Sequence, residues 1–183
     1  MGMICIVNEQ EVITNIIIAN TIVRDNERIY YPWNEIGQVY TTDAPLSYQK
    51  KAKLDEVNAW TKSKITGGFV CYCYNNEPVL YDTDEETQLT MTKARANCQS
   101  EKFATNFPTG MPCRGYKKLG QDEYGKDSFD DDKTIFLFTP EQIIAWDEDF
   151  SLFLAKCKGE GWVKQAQVEA ATTKEELEAI VLD

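Results

Sequence analysis

The chain has 183 residues, 43% hydrophobic and 11% aromatic, which is enough apolar material for one packed domain or one domain with a small appendage. Its 27% of charged residues is a globular balance rather than a disordered one. With 30 acidic against 19 basic residues the formal charge is -11, a surface that repels phosphate backbones and argues against sequence-independent nucleic-acid binding.

The chain contains no histidine, so Ser-His and Cys-His catalysis and His-ligated zinc have no ligand or base to use. The six cysteines form no CxxC pair and are too sparse for a disulfide scaffold. Cys71 and Cys73 share one face of an apparent strand and read as buried thiols. No apolar run approaches the roughly 18 residues of a membrane span, so no membrane insertion is expected. "MGMICIVNEQEV" lacks the basic start and apolar core of a signal peptide, and Ile6 breaks the myristoylation pattern. These features lead us to expect a protein made and used in a cytoplasm, or released by lysis.

In chain order, "MICIV" (3–7) and "VITNIIIAN" (12–20) form an expected hairpin across "NEQE". "RIYYPW" (28–33) adds a third strand that Pro32 confines to an edge or an end. Asp43 can cap a helix whose first turn holds Pro45, with Leu46, Leu54, Val57 and Trp60 on one face and Gly67-Gly68 as the stop. The module boundary is placed there, giving a small N-terminal β module over 1–42 and a larger domain over 43–183. "FVCYCY" and "PVLY" read as paired strands around "NNE", followed by a helix from about Asp84 to Ser100. "GMPCRGYKK" (110–118) and "TIFLF" (134–138) are strands, and the Gly- and Asp-rich "LGQDEYGKDSFDDDK" between them reads as a long exposed loop. The last part is helical. Thr139-x-x-Gln142 is a capping box with Pro140 at the first position, and Ile143, Trp146, Phe150, Phe153 and Cys157 repeat at helical steps. "KGEGW" (158–162) should interrupt or weaken that helix, and "TTKEELEAIVL" supplies a final short one capped at Thr172 or Thr173.

Three places could carry chemistry. In "YDTDEETQL" (81–89) the Asp82-x-Asp84 pair has oxygen ligands suited to magnesium or calcium. The same stretch contains Thr83-x-x-Glu86, a capping box with Leu89 starting the apolar face, and this is the preferred reading. The second acidic cluster includes Asp127, Asp130, Asp131 and Asp132 but lacks EF-hand spacing, so it reads as a solvated hairpin tip. The metal candidates are Asp82 and Asp84 with Asp130 and Asp132 of the 127–132 carboxylates, where an adventitious calcium site is the alternative to a solvated tip. Third, Tyr30, Tyr31 and Trp33, with Tyr40 nearby, could stack a sugar or anchor a protein, against the alternative of core and sheet packing.

The landmarks "ITGGF", "YDTDEETQL", "FLFTPEQI" and "VEAATTKEELEAI", in that order, resemble an uncharacterised C-terminal domain of bacteriophage and prophage tail-fibre-region proteins, domain of unknown function 4376. The likeness runs from about Pro45 to the end. "VITNIIIAN" also resembles the opening of small phage tail and fibre-assembly proteins. "CYCYNNEPVL", the acidic stretch at 120–132 and "KGEGW" depart from the pattern. The resemblance brings no catalytic residues and no cofactor.

The expected fold is α+β: the N-terminal β module, then antiparallel strands packed against two or three helices. The resemblance implies a non-enzymatic tail component at the fibre or baseplate, in the virion, with a structural or host-attachment role. Its partners would be other tail proteins and a host surface receptor or glycan, and a homo-oligomer such as a trimer fits that setting. The competing expectations are a non-virion accessory protein, either a fibre-assembly chaperone or an acidic inhibitor of a host protein, and a metal-dependent enzyme built on the acidic residues.

Overall fold

The computed structural model describes residues 2–19, 27–39 and 41–183; Asn20 and Tyr40 lie outside the described residues. The protein is α+β and divides into two compact units, one made of Met1–Asp55, Gln167–Val181 and Asp183, the other of Glu56–Ala166 and Leu182.

In the first unit, β1 (Gly2–Val7) and β2 (Ile13–Ala19) pair as an antiparallel hairpin, with Cys5 opposite Ile16. The connection is organised by Asn8, whose Oδ1 accepts the backbone N–H groups of Gln10 at 3.0 Å and Val12 at 2.9 Å. An asparagine bonding its own downstream backbone replaces ladder bonds and turns the chain. Cys5, Val7 and Ile13 are buried together, with Ile16 and Tyr30 against them. The third strand, β3 (Glu27–Ile29), lies on the other side of β1 and is shorter than "RIYYPW" suggests. It stops because residues 31–34 form a turn: Asn34 N–H bonds Tyr31 O, and Asn34 Oδ1 accepts Tyr31 N–H, both at 2.9 Å. Pro32 then occupies the turn position that its fixed φ favours.

Helix α1 (Leu46–Thr66) is not capped by Asp43; its first N–H groups, those of Tyr48 and Gln49, bond the Pro45 carbonyl at 3.0 Å. It ends at Gly67-Gly68, where Gly68 has φ +93°. A Cβ at Gly68 would lie 3.0 Å from the Tyr81 carbonyl oxygen, so both conformation and space require glycine.

The second unit is built on a four-stranded antiparallel sheet in sequence order: β4 (Phe69–Tyr74), β5 (Glu77–Tyr81), β6 (Met111–Gln121) and β7 (Asp127–Phe138). Asn75 and Asn76 (φ 54° and 60°) supply the two left-handed residues of a tight hairpin between β4 and β5. The helix expected over about 84–100 is α2 (Glu85–Asn97), and a further short helix, α3 (Glu101–Asn106), follows it. The new helix begins with a capping event, the Ser100 side chain accepting Phe103 N–H at 3.1 Å.

The expected loop between β6 and β7 is instead a paired ribbon running to Gln121 opposite Asp127. Only residues 122–126 turn, around Asp122, whose Oδ1 accepts Tyr124 N–H at 2.9 Å and Lys126 N–H at 2.8 Å. A 2.6 Å ion pair between Lys118 and Asp127 ties the strands just before the turn. The expected interruption at "KGEGW" is also absent. Helix α4 (Pro140–Ala170) runs unbroken for 31 residues, and Gly161 lets it approach α1, because a Cβ there would lie 2.4 Å from Thr61 Oγ1. The glycine serves close packing rather than termination. Thr139 and Gln142 form the capping box as read, Thr139 N–H bonding Gln142 Oε1 at 2.9 Å and Gln142 N–H bonding Thr139 Oγ1 at 3.3 Å. Finally, α5 (Lys174–Glu178) is capped by Thr173, which accepts Glu176 N–H at 3.2 Å.

Alternate strand residues, among them Phe69, Val79, Tyr81, Phe136 and Phe138, form one core with Met91, Ile143, Trp146 and Phe150. The Trp146 ring packs edge-on to Phe69 at 5.4 Å and stacks on Phe150 at 5.1 Å, geometries that suit aromatic quadrupoles. Gly115 belongs to this face because the Tyr81 ring lies over it; a Cβ would meet Val79 Cγ1 at 2.7 Å and Tyr81 Cε1 at 2.9 Å. Gly115→Val therefore overpacks the sheet and is expected to lower unfolding stability by about 1–3 kcal/mol, read as a drop in the urea midpoint at unchanged m-value.

Candidate functional site

The stretch from Tyr81 to Thr90 closes β5 and opens α2, and its chemistry differs from the expected capping box. The α2 N-cap is Asp84, whose carboxylate accepts Thr87 N–H at 2.7 Å. Thr83 is fully buried instead (0% exposed), donating its hydroxyl to Ile65 O at 2.5 Å and accepting Gly68 N–H at 3.0 Å. Among the described residues Glu86 makes no bond back to Thr83, whose carbonyl is taken by Gln88 Nε2 at 2.6 Å. Leu89, expected to face the core, is 55% exposed; Met91 and Ala94 are the buried residues of α2. Asp84 takes the cap, while the Thr83 hydroxyl satisfies the end of α1.

This junction forms one side of a cleft of about 360 Å³, facing the first half of β6. Asp82, Asp84 and Glu86 line one part, Arg114 and Lys133 another, and Met91 and Met111 supply apolar surface. The cleft exists because β5 pairs with β6 only through Val79–Lys117 and Leu80–Tyr116. Four successive β6 residues, 111–114, line it, as expected where a strand presents its edge rather than one face.

Charge in the cleft is mostly settled internally. Lys133 donates to Asp82 in a half-exposed ion pair, and the hydrogen bond to Asp82 raises the lysine above its ordinary range. Asp84 is held below the usual carboxylate range by the Thr87 backbone N–H first, with further help from the Thr87 hydroxyl, the Glu86 N–H and the Lys133 charge. Burial pushes the Cys113 thiol up to about 12. Burial also raises the Tyr81 phenol, reinforced by the Cys73, Cys71 and Cys113 thiols around it. Each of these groups moves away from neutrality, which is the opposite of what general acid–base work requires. Two residues of the cleft wall carry buried polar atoms without a hydrogen-bond partner among the described residues, the Tyr81 hydroxyl and the Trp146 indole N–H.

The four metal candidates meet only in part. Asp82 approaches β7, but the cation it meets there is the Lys133 ammonium. Asp130 and Asp132 lie on β7 strand backbone rather than in a loop, and Asp130 Oδ1 accepts Asp132 N–H at 3.2 Å. Among the described residues no group of three or more acidic or cysteine side chains converges to hold a metal ion. All six cysteines are free thiols; Cys71 is buried and Cys73 half-buried. Cys71 Sγ donates to Asp149 Oδ2 at 3.4 Å and accepts Cys73 N–H at 3.2 Å; its thiol pKa is pushed up by the Cys73 side chain first and then by burial, against the opposing effect of the Cys73 N–H.

The aromatic candidates are half-buried and engaged with one another. Tyr31 stacks on Trp33 at 5.0 Å, Trp33 meets the Tyr48 ring edge-on at 5.3 Å, and its indole N–H bonds Thr41 O at 3.2 Å. Tyr30 packs on the β1–β2 core. Asn34, which no motif singled out, organises this turn: its amide also bonds Thr41 O at 3.1 Å. The asparagine two residues after Pro32 was the available signal.

A second feature escaped the motif reading. Opposite the core, the four-stranded sheet shows an uncovered apolar face. Val70, Tyr72 (54% exposed), Ile135 (62%) and Leu137 are exposed, and Leu80 pairs across to Val70 and Tyr116. The alternation of β4 and β7 predicts such a face, but a sequence does not reveal that these side chains stay exposed.

Together these observations define a small α+β domain whose cleft holds the Lys133–Asp82 ion pair and whose sheet exposes Val70, Tyr72, Ile135 and Leu137 opposite the core. The chain belongs to the family described as Domain of unknown function (DUF4376), which matches residues 48–181. No curated protein and no solved structure matches it.

Replacing Thr83 by valine leaves the Ile65 carbonyl and Gly68 N–H without their buried partner, so Thr83→Val should cost about 1–3 kcal/mol in denaturant unfolding. For Asp84, whose folded pKa is depressed, the carboxylate's contribution is full above its unfolded value (3.8) and is lost as pH falls through the folded one. The urea-midpoint gap between wild type and Asp84→Asn, which keeps a capping oxygen, should be widest near neutrality and close on acidification; a gap unchanged down to pH 2 contradicts this role.

Proposed function

We propose that the protein is a non-enzymatic component of a bacteriophage or prophage tail, at the fibre or baseplate, with a structural or host-attachment role. The observation that carries this reading is the open outer face of the β4–β7 sheet, with Tyr72, Ile135 and Leu137 exposed. Arg114 lies across from Ile135 on the same face, and exposed aromatic and aliphatic side chains interleaved with an arginine favour a protein partner. The resemblance of the ordered landmarks to tail-fibre-region domains supports the setting. In this reading the protein is made in the bacterial host cytoplasm and ends in the virion, beside other tail proteins. Among the described residues no helix is long and apolar enough to cross a bilayer.

The test is mass spectrometry and immunogold labelling of purified particles from the source lysate. The protein should be found at the tail, and its absence from particles would leave only the accessory role outside the virion. A paired Ile135→Glu, Leu137→Glu variant should stay folded, because both side chains are exposed, yet fail to incorporate.

A further inference from the structure

A second groove, of about 550 Å³, lies within the unit formed by Glu56–Ala166, where α1, α2 and α4 meet. Its size suits a small ligand. Its geometry is fixed by close helix packing: Gly161 sits against Thr61 with no room for a Cβ, and Gln165 Nε2 bonds Asn58 Oδ1 at 2.7 Å from one helix to the other. Lys62 and Glu85 face each other at 3.7 Å across the wall.

Among the described residues, the polar groups around the groove have unused hydrogen-bonding capacity of both kinds. Asn58 accepts through Oδ1 and keeps both N–H donors; Gln165 donates through Nε2 and keeps its Oε1 acceptor. Gln88 likewise spends Nε2 on the Thr83 carbonyl and keeps Oε1. The Thr61 and Thr66 hydroxyls donate to Val57 O and Lys62 O, leaving acceptor lone pairs. Beside them Trp162 is 65% exposed, a flat apolar ring held on a rigid helix. A ligand that matches this wall must offer a planar apolar face and several groups that both donate and accept. Lys62 and Glu85 pair with each other, and the remaining charge on the wall, the exposed and solvent-screened Lys158, is a single one, a weak field for selecting a phosphate.

We propose that this groove binds a neutral carbohydrate, with the C–H face of a pyranose on Trp162 and its hydroxyls bonded to Asn58, Gln165 and Gln88. Sugar hydroxyls are each donor and acceptor, and the two pyranose faces are rich in C–H groups, which is the complement of an amide-lined groove with an indole wall. The assignment goes beyond the tail reading and stands or falls separately from it, because binding is measured on the isolated protein.

The experiment is an array of neutral hexose and N-acetylhexosamine oligosaccharides probed with the full chain, followed by calorimetry with the strongest disaccharide. Wild type and Trp33→Ala should bind alike, Trp162→Ala should lose at least about tenfold in affinity, Gln165→Ala should weaken binding less, and Trp162→Phe should recover part of the loss. Trp162 is exposed, so an unchanged urea midpoint in Trp162→Ala checks that the loss is not unfolding. No binding to any array member at millimolar concentration, equal binding by Trp162→Ala, or a loss confined to Trp33→Ala would each overturn the assignment.

Discussion

One buried hydroxyl sets the geometry of the larger unit. Thr83 donates to the last turn of α1 at Ile65 and accepts from Gly68, the first residue after that helix has turned away. Because both ends of a helix-terminating turn are bound to one side chain, the exit of α1 fixes where β4 begins. Phe69 then falls opposite Tyr81, and the β4–β5 register follows. The same residue leads directly into the Asp84 cap, so α2 starts in a position determined by α1. A bond to a buried group is worth most where its loss would strand a donor and an acceptor together.

Local chemistry was legible from sequence wherever its partners lie within a few residues. Thr139 with Gln142, the Asn75-Asn76 hairpin and the Gly67-Gly68 stop are all contacts of short range, and each is formed. The failures share a cause of the opposite kind. Thr83 has the right spacing for a capping box, but Ile65, 18 positions away, holds its hydroxyl, and Asp84 caps in its place. Gly161 reads as a breaker until Thr61 is seen against it. The segment 119–133 has loop composition, yet pairing to its own partner strand and the Lys118–Asp127 contact keep it extended. In each case a tertiary partner overrode a correct local preference.

The candidate sites divide along the same line. Residue type alone marked Asp82 and Asp84 as metal ligands, but their use depends on neighbours: a lysine from β7 for one, helix N–H groups for the other. Tyr31 and Trp33 were legible as an aromatic concentration, whereas their mutual stacking and the Asn34 brace depend on a turn that composition only hints at. The open sheet face and the amide-lined groove were not legible, since both are defined by what fails to pack against them or by which helices meet.

The acidic run on β7 gains a purpose from the strand order. β7 is an edge of its sheet, and an edge strand offers unpaired backbone to any similar strand that approaches. Asp130, Asp131 and Asp132 place three like charges in succession along that edge. A second copy attempting to extend the sheet would bring the same charges against them, at close range and in register. Carboxylates that first suggested a bound cation thus stand where like-charge repulsion disfavours extension of the sheet by a second β7 edge.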